Sequence, residues 1–350
     1  MRRREFITLF GGAAAGPLAG QAQRTCAALA VMAQFSGPAP AAEFSAAEFS
    51  AEVIRIVVPF APGGGTDLIS RTLAQEMAKD IGGTVIVENK PGAGTIIGTQ
   101  AVATSPPDGH TLLMATFAHA VNPSLHARLP YDTHKDFAPV ALVARSFNIV
   151  VVNPKSAISS IADLIAAAKA NPGKINYGTF GPGTSAHLAG ELFNSLAQVS
   201  MTPVHYKGAA PAITDLLGGT IQVMFTTVAS ATSLIRAGQL RALAVTSAAR
   251  TAAFPDLPTI AEAAVPGYAA ESWYGLYAPA KTPLPAIALL NKAVAKAVKS
   301  NAFNTLAANE GLVMAAGSAE EFERYVQDEE ARWRKVIIDA KVRVNSDLLT

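Results

Sequence analysis

The sequence predicts two doubly wound α/β domains joined by a hinge, with a ligand cleft between them. Three observations lead there. From Val53 onward, short β-branched runs alternate with amphipathic stretches, the rhythm of a parallel sheet with helices on both faces. The rhythm restarts near Phe147 with a long apolar strand, as a second unit would. The chain has 350 residues, 50% hydrophobic and 15% charged, a length that favours two domains and a composition ample for a sizeable core.

The N-terminus reads as an export signal over residues 1–22, "MRRREFITLFGGAAAGPLAGQA", with a basic start, an apolar middle and a small-residue end. Arg3-Arg4 followed by Phe6 and Ile7 resembles a twin-arginine signal. Gly20 and Ala22 fit a cleavage site, and a second apolar run ending at residues 39–41 offers another. Neither run reaches the roughly 20 apolar residues that span a bilayer, so export is favoured over a membrane anchor. The signal carries a net charge of +2, equal to that of the whole chain, so the remainder is near neutral. That balance gives no reason to expect nucleic acid. The single cysteine, Cys26, excludes an internal disulfide framework. Residues 23–52 contain "AAEFS" twice in tandem and read as a poorly ordered low-complexity linker.

The elements then follow in order. "IRIVVPF" is a buried strand. In "LISRTLAQEMAKDI", Ile69, Leu73, Met77 and Ile81 stack on one helical face. "TVIVENK" and "HTLLMAT" are strands flanking the loop and helix "PGAGTIIGTQAVATS". "FNIVVVNP" opens the second unit, and the helix "SSIADLIAAAKA" is stopped by Asn171-Pro172-Gly173. Strands "KINYGTF", "MTPVHYK", "TIQVMFT" and "RALAVTS" alternate with helices "SAHLAGELFNSLAQV" and "GAAPAITDLLGG". Two helices in the tail return to pack on the first unit. The expected division is residues 53–150 with 265–350 in domain 1 and residues 151–264 in domain 2. Chain crossings near residues 147–154 and 265–273 form the hinge, and strand carboxyl ends line the cleft.

Three strand-to-helix turns, "PFAPGGGTD", "PGAGTIIGT" and "TFGPGTSAH", combine glycines with helix N-termini, where free N–H groups meet anions. A P-loop needs a lysine after its glycines, and none follows. "GPGTSA" matches the dinucleotide pattern, but the expected ribose-binding acid is replaced by "VHYKG" with Lys207. Ser185 in "GTSAH" is not a nucleophile elbow. The six histidines show no metal-ligand spacing, so no metal and no cofactor is expected. His187 reads as a hydrogen-bond partner within its loop. No catalytic constellation is present, and an enzyme is not expected. What remains is recognition of a carboxylate, since no Arg or Lys cluster accompanies the glycines. Individually, Thr66, Asp67, Thr95 and Thr184 read as helix caps; taken together, the three loops favour binding.

"IRIVVPFAPGGGTD", "VENKPGAGTIIGTQAVATSPPDGHTLL", "NYGTFGPGTSAHLAGELF", "YKGAAPAITDLLGG", "LRALAVTS" and "WYGLYAPAKTP" together resemble the Bug, or tripartite tricarboxylate transporter, solute receptors of bacteria. The resemblance implies a type II periplasmic binding protein that closes over a small carboxylate, in the periplasm, without chemistry. It implies a monomer with an integral membrane permease as partner, or alternatively a sensor protein, and no nucleic acid. Carried over, the binding residues are Phe60, Ala61, Gly64, Thr66 and Asp67 on one side and Gly181, Gly183, Thr184, Ser185 and His187 on the other. Thr116, Tyr206, Lys207 and Trp273 are expected as cleft walls. The family commonly reads "MFDN" where this chain reads "MFTT", so Thr226 replaces a cleft-facing aspartate suited to a ligand's amine. The expected ligand is therefore a dicarboxylate or aromatic acid rather than an amino acid; the alternative is that Thr226 merely fills space.

Overall fold

The computed structural model describes residues 45–339 and Val342, all within one compact unit. The export signal, both cleavage sites and the start of the linker lie outside the described residues. The end of that linker corrects the expectation of poor order. Helix α1 (Ala46–Ala51) is capped by Ser45, whose Oγ accepts the Glu48 N–H at 3.3 Å, and Phe49 is buried. The Phe49 ring lies 4.3 Å from that of His110, so the second "AAEFS" copy is an anchor.

Strand β1 (Ile54–Val58) leads into α2 (Gly65–Ile81), then β2 (Val85–Asn89), a short 3-10 turn (Ala93–Thr95), α3 (Ile96–Ala103), β3 (Thr111–Thr116) and α4 (Phe117–Leu125). The α2 helix buries Ile69, Leu73 and Met77, the stripe its periodicity predicts. Strand β4 (Phe137–Val152) runs for 16 residues and is followed by α5 (Ile161–Ala170), β5 (Asn176–Thr179), α6 (Ser185–Ala197) and β6 (Thr202–His205). After these come α7 (Ala209–Gly218), β7 (Val223–Thr227), α8 (Val228–Arg236), β8 (Arg241–Val245) and α9 (Ile260–Ala263). The chain ends with β9 (Glu271–Pro279), α10 (Leu284–Ala297), α11 (Asn301–Glu310), β10 (Val313–Met314) and α12 (Ala319–Asp339).

The strands form one continuous sheet in the order β2-β1-β3-β9-β4-β7-β5-β6, with β10 and β8 also paired to β4. It is mixed rather than purely parallel. β1 runs parallel to β2 and β3, and β5 parallel to β6 and β7, as helical crossovers require. The exceptions are β4 and β9, which run antiparallel to each other. Residues 137–147 of β4 pair with β9, whereas residues 148–151 pair with β7 and residues 149–152 with β8. A single strand therefore serves both halves of the sheet and changes partners between Phe147 and Asn148.

Apolar residues on the two faces separate into clusters. Ile56, Leu73, Met114, Tyr274 and Leu290 belong to one that also holds Ile149 and Met224. Phe193, Phe225 and Trp333 belong to a second, and Val57, Leu113, Trp273 and Phe322 to a third. Strand β4 is held in these cores along its length, and its change of partners between Phe147 and Asn148 is the junction of the two halves.

Candidate functional site

The junction is where the glycine loops meet. The loop after β1 presents Phe60, whose ring stands edge-on to that of Phe180 at the end of β5, 6.5 Å away. The Ala61 N–H donates to the Lys207 carbonyl at 2.8 Å, so the first loop is stitched to the loop before α7. Gly64 caps α2 without a side chain, and a Cβ there would lie 3.5 Å from Ala209 Cβ. The Gly65 N–H donates to Ser230 Oγ at 2.8 Å, and Ser230 in turn shares a 2.8 Å hydrogen bond with Thr227 Oγ1. The α2 N-terminus therefore ends on the start of α8.

The second glycine loop approaches the third as closely as backbone allows. Four successive residues have positive φ: Gly92 (138°), Ala93 (46°), Gly94 (59°) and Thr95 (85°). For Ala93 and Thr95 this left-handed geometry costs about 1–2 kcal/mol each. In return Gly94 sits against the Pro182 carbonyl, where any Cβ would collide, and 3.2 Å separates its Cα from where a Gly181 Cβ would lie. Thr95 accepts a 3.3 Å hydrogen bond from Asn122 Nδ2. The two halves are thus in contact at this point.

The third loop is internally braced. The Gly181 N–H donates to Thr179 Oγ1, and Thr184 Oγ1 donates to the Gly181 carbonyl at 2.7 Å. The Gly183 N–H donates to His187 Nδ1 at 3.2 Å, which places the ring proton on Nε2. Burial pushes His187 down to about 3, with His205 at a centroid distance of 4.9 Å reinforcing the shift, so the ring is neutral. This is the loop-partner role expected for His187. Ser185 Oγ, at the first position of α6, lies 3.4 Å from Asn148 Oδ1.

Those contacts converge. The α2 N-terminus meets Thr227, the α6 N-terminus meets Asn148, and Asn148 and Thr227 are cross-strand partners on β4 and β7. The two helix ends differ in charge. Asp67, in the first turn of α2, accepts from the Gly63 N–H (3.0 Å), Arg71 Nε (3.0 Å) and Asn89 Nδ2 (3.0 Å). Burial works against its charge, but Arg71, Gly63 and Asn89 outweigh it and hold the carboxyl below its ordinary range. The positive end of α2 is therefore already compensated. The first turn of α6 carries no acidic residue, and its N–H groups have no carbonyl one turn back.

Not every expected residue reaches this point. Thr116 caps α4 and lies opposite Tyr274 in the sheet. Thr66 is half-buried at the α2 terminus, and Lys207 is exposed and contributes its carbonyl. Tyr206 donates to Asp215 Oδ2 at 2.6 Å, and burial followed by that carboxylate pushes its phenol up to about 12, so its hydroxyl serves its own half. Trp273 is a correction. It is fully buried in the third apolar cluster against Phe322 and Tyr325, a core residue rather than a cleft wall. Thr226 pairs with Ile149, on the opposite face of β7 from Thr227, and is fully buried. An open cavity of about 520 Å³ lined by Phe147, Thr251 and Gly311 contains none of the expected residues. Among the described residues no cluster of His, Cys, Asp or Glu has metal-binding geometry.

The sequence and the fold are both matched by known proteins. A family model, the tripartite tricarboxylate transporter family receptor, matches residues 69–342. The chain belongs to that family. It is similar to protein BugT of Bordetella pertussis, at 37% identity over 299 residues, covering 85% of this chain and 92% of BugT. Among solved structures it resembles an R. palustris protein with adipate, at 36% identity and a TM-score of 0.80, covering 83% of this chain and 97% of that one. It also resembles MatC of Rhodopseudomonas palustris with bound malate, at 31% identity and a TM-score of 0.78, with coverages of 81% and 98%. Members of the family are periplasmic solute-binding receptors, and this receptor has the family's two-part α/β architecture.

Proposed function

We propose that this receptor captures a small carboxylate by closing its two halves about the β4 and β9 crossings, and hands it to a membrane permease of the same transport system. The observation that carries this is the convergence of two helix N-termini on Asn148 and Thr227, only one of them charge-compensated. The ligand carboxylate sits at the α6 terminus, where the first-turn N–H groups lack an anionic partner, while the Ser185 hydroxyl stays on Asn148 Oδ1. Charge-assisted hydrogen bonds contribute about 1.5–3 kcal/mol each, so three or four account for micromolar binding without a bound metal. Asp67 braces the first loop instead of touching the ligand. We favour a dicarboxylate or aromatic acid over an amino acid. The adipate and malate complexes of two relatives support the class.

Calorimetric screening of the exported protein against succinate, malate, adipate, terephthalate, aspartate and glutamate tests this. Saturable one-to-one binding of at least one acid without an amine is expected. Binding confined to aspartate or glutamate would sink the ligand class, and turnover of any of them would sink the receptor assignment.

A further inference from the structure

Two hinge residues outside the expected set stand in matching places. Tyr274, on β9, lies opposite Thr116, the N-cap of α4; Asn148, on β4, lies opposite Thr227, the N-cap of α8. β4 and β9 are the strands that cross between the halves, so these positions are equivalent in the two halves of the sheet. Both side chains are fully buried, and each holds a polar atom with no hydrogen-bond partner: Asn148 Nδ2 and the Tyr274 hydroxyl. An unpaired buried polar group costs about 1–3 kcal/mol, and of the fourteen such side-chain atoms among the described residues these two are the ones on hinge-strand positions paired with a helix N-cap. The environments point the same way. Asn148 Oδ1 is occupied by Ser185 Oγ at the α6 terminus, which leaves the amide's donor face open. The Tyr274 hydroxyl lies towards the side chains of Thr227 and Ser146 without a good hydrogen bond to either. Burial, aided by Glu310, pushes the phenol up to about 12, so it remains a donor.

We infer that Asn148 and Tyr274 are specificity residues that donate from the two hinge strands to a second oxygen-bearing group of the ligand, the end not held by α6. This rests on the receptor reading above. A carboxylate or carbonyl accepts from both an amide N–H and a phenol, and the ionised phenol that would oppose it does not form below pH 10. An ammonium group finds Asn148 Oδ1 already taken and, in the Tyr274 oxygen, only a neutral acceptor; neither residue supplies a carboxylate. Selection is therefore for acceptor-ended acids, achieved with neutral donors rather than an arginine.

The test compares adipate with hexanoate, which share a carbon chain and differ by one carboxylate, by calorimetry on the wild type, Tyr274→Phe and Asn148→Asp. Each variant is checked for an unchanged circular dichroism spectrum. The wild type is expected to prefer adipate by at least about tenfold, since each lost hydrogen bond to a charged group is worth about that factor. Tyr274→Phe should lose about tenfold for adipate and little for hexanoate. Asn148→Asp should lose adipate and gain for 6-aminohexanoate, whose ammonium it can pair. Folded variants that keep the wild-type adipate preference overturn the assignment while leaving the receptor reading intact. A wild type that binds adipate and hexanoate equally also overturns it. A wild type that binds no carboxylate in the wider screen overturns both.

Discussion

Closure can be blocked at one atom. Gly94 has φ 59° and belongs to the loop after β2, whereas the Pro182 carbonyl that it touches belongs to the loop after β5. A methyl group in Gly94→Ala collides with that carbonyl only when the halves meet. Gly219 has φ 82°, but a Cβ there meets nothing within 4 Å. Gly219→Ala therefore carries the same backbone penalty, about 1–2 kcal/mol, with no barrier to closure. Overpacking a tight contact costs about 1–3 kcal/mol, and here that cost falls on the closed state alone. A differential of that size weakens ligand binding about 5- to 150-fold. Both variants should lose similar thermal stability without ligand, but only Gly94→Ala should lose affinity by calorimetry and fail to compact in X-ray scattering when ligand is added. Equal affinities in the two variants would refute the reasoning, because the Gly94–Pro182 contact would then not be made on binding.

The remaining expectations concern stability. Asp67→Ala removes a buried acceptor of three donors and should cost about 1.5–3 kcal/mol by denaturant unfolding, with Asn89 left only the Phe60 carbonyl and Arg71 only Asn89 Oδ1. Phe49→Ala should destabilise by about 3 kcal/mol by the same measurement, since its ring is buried on His110 and Gly109; no loss would mean that α1 does not anchor the fold. His187 titrates near 6.5 when unfolded and at about 3 when folded. The unfolded chain therefore binds the extra proton, and stability is full above pH 6.5 and falls as pH drops towards 3. His187→Gln should remove one proton from that slope, about 1.4 kcal/mol per pH unit between those limits.

Some of this was legible in the sequence for local reasons. Glycine-rich turns before a helix signal positive φ and an open N-terminus without reference to distant residues, so the loops at Gly63, Gly94 and Gly181 stand out. The i, i+4 spacing of Ile69, Leu73 and Met77 is likewise local. The missed parts are non-local. Residues 137–146, "FAPVALVARS", do not alternate and contain a proline, yet they form a strand because β9 lies beside them. Helix α4 was missed because Pro123 lies within it. The resemblance implies a cleft-wall role for Trp273, but only the β9 register decides which face it takes. Asn148 and Tyr274 carried no signal at all. Their significance depends on partners Thr227 and Thr116, far along the chain, and on which donors nearby groups already occupy.

The central claim, a receptor closing over a small carboxylate, is tested most directly by native mass spectrometry of the protein mixed with an equimolar set of dicarboxylates, aromatic acids and amino acids. The account predicts a one-to-one complex with an acid lacking an amine, in a compact charge-state distribution. Protein that retains only amino acids, or none of the set at micromolar concentration, would contradict it.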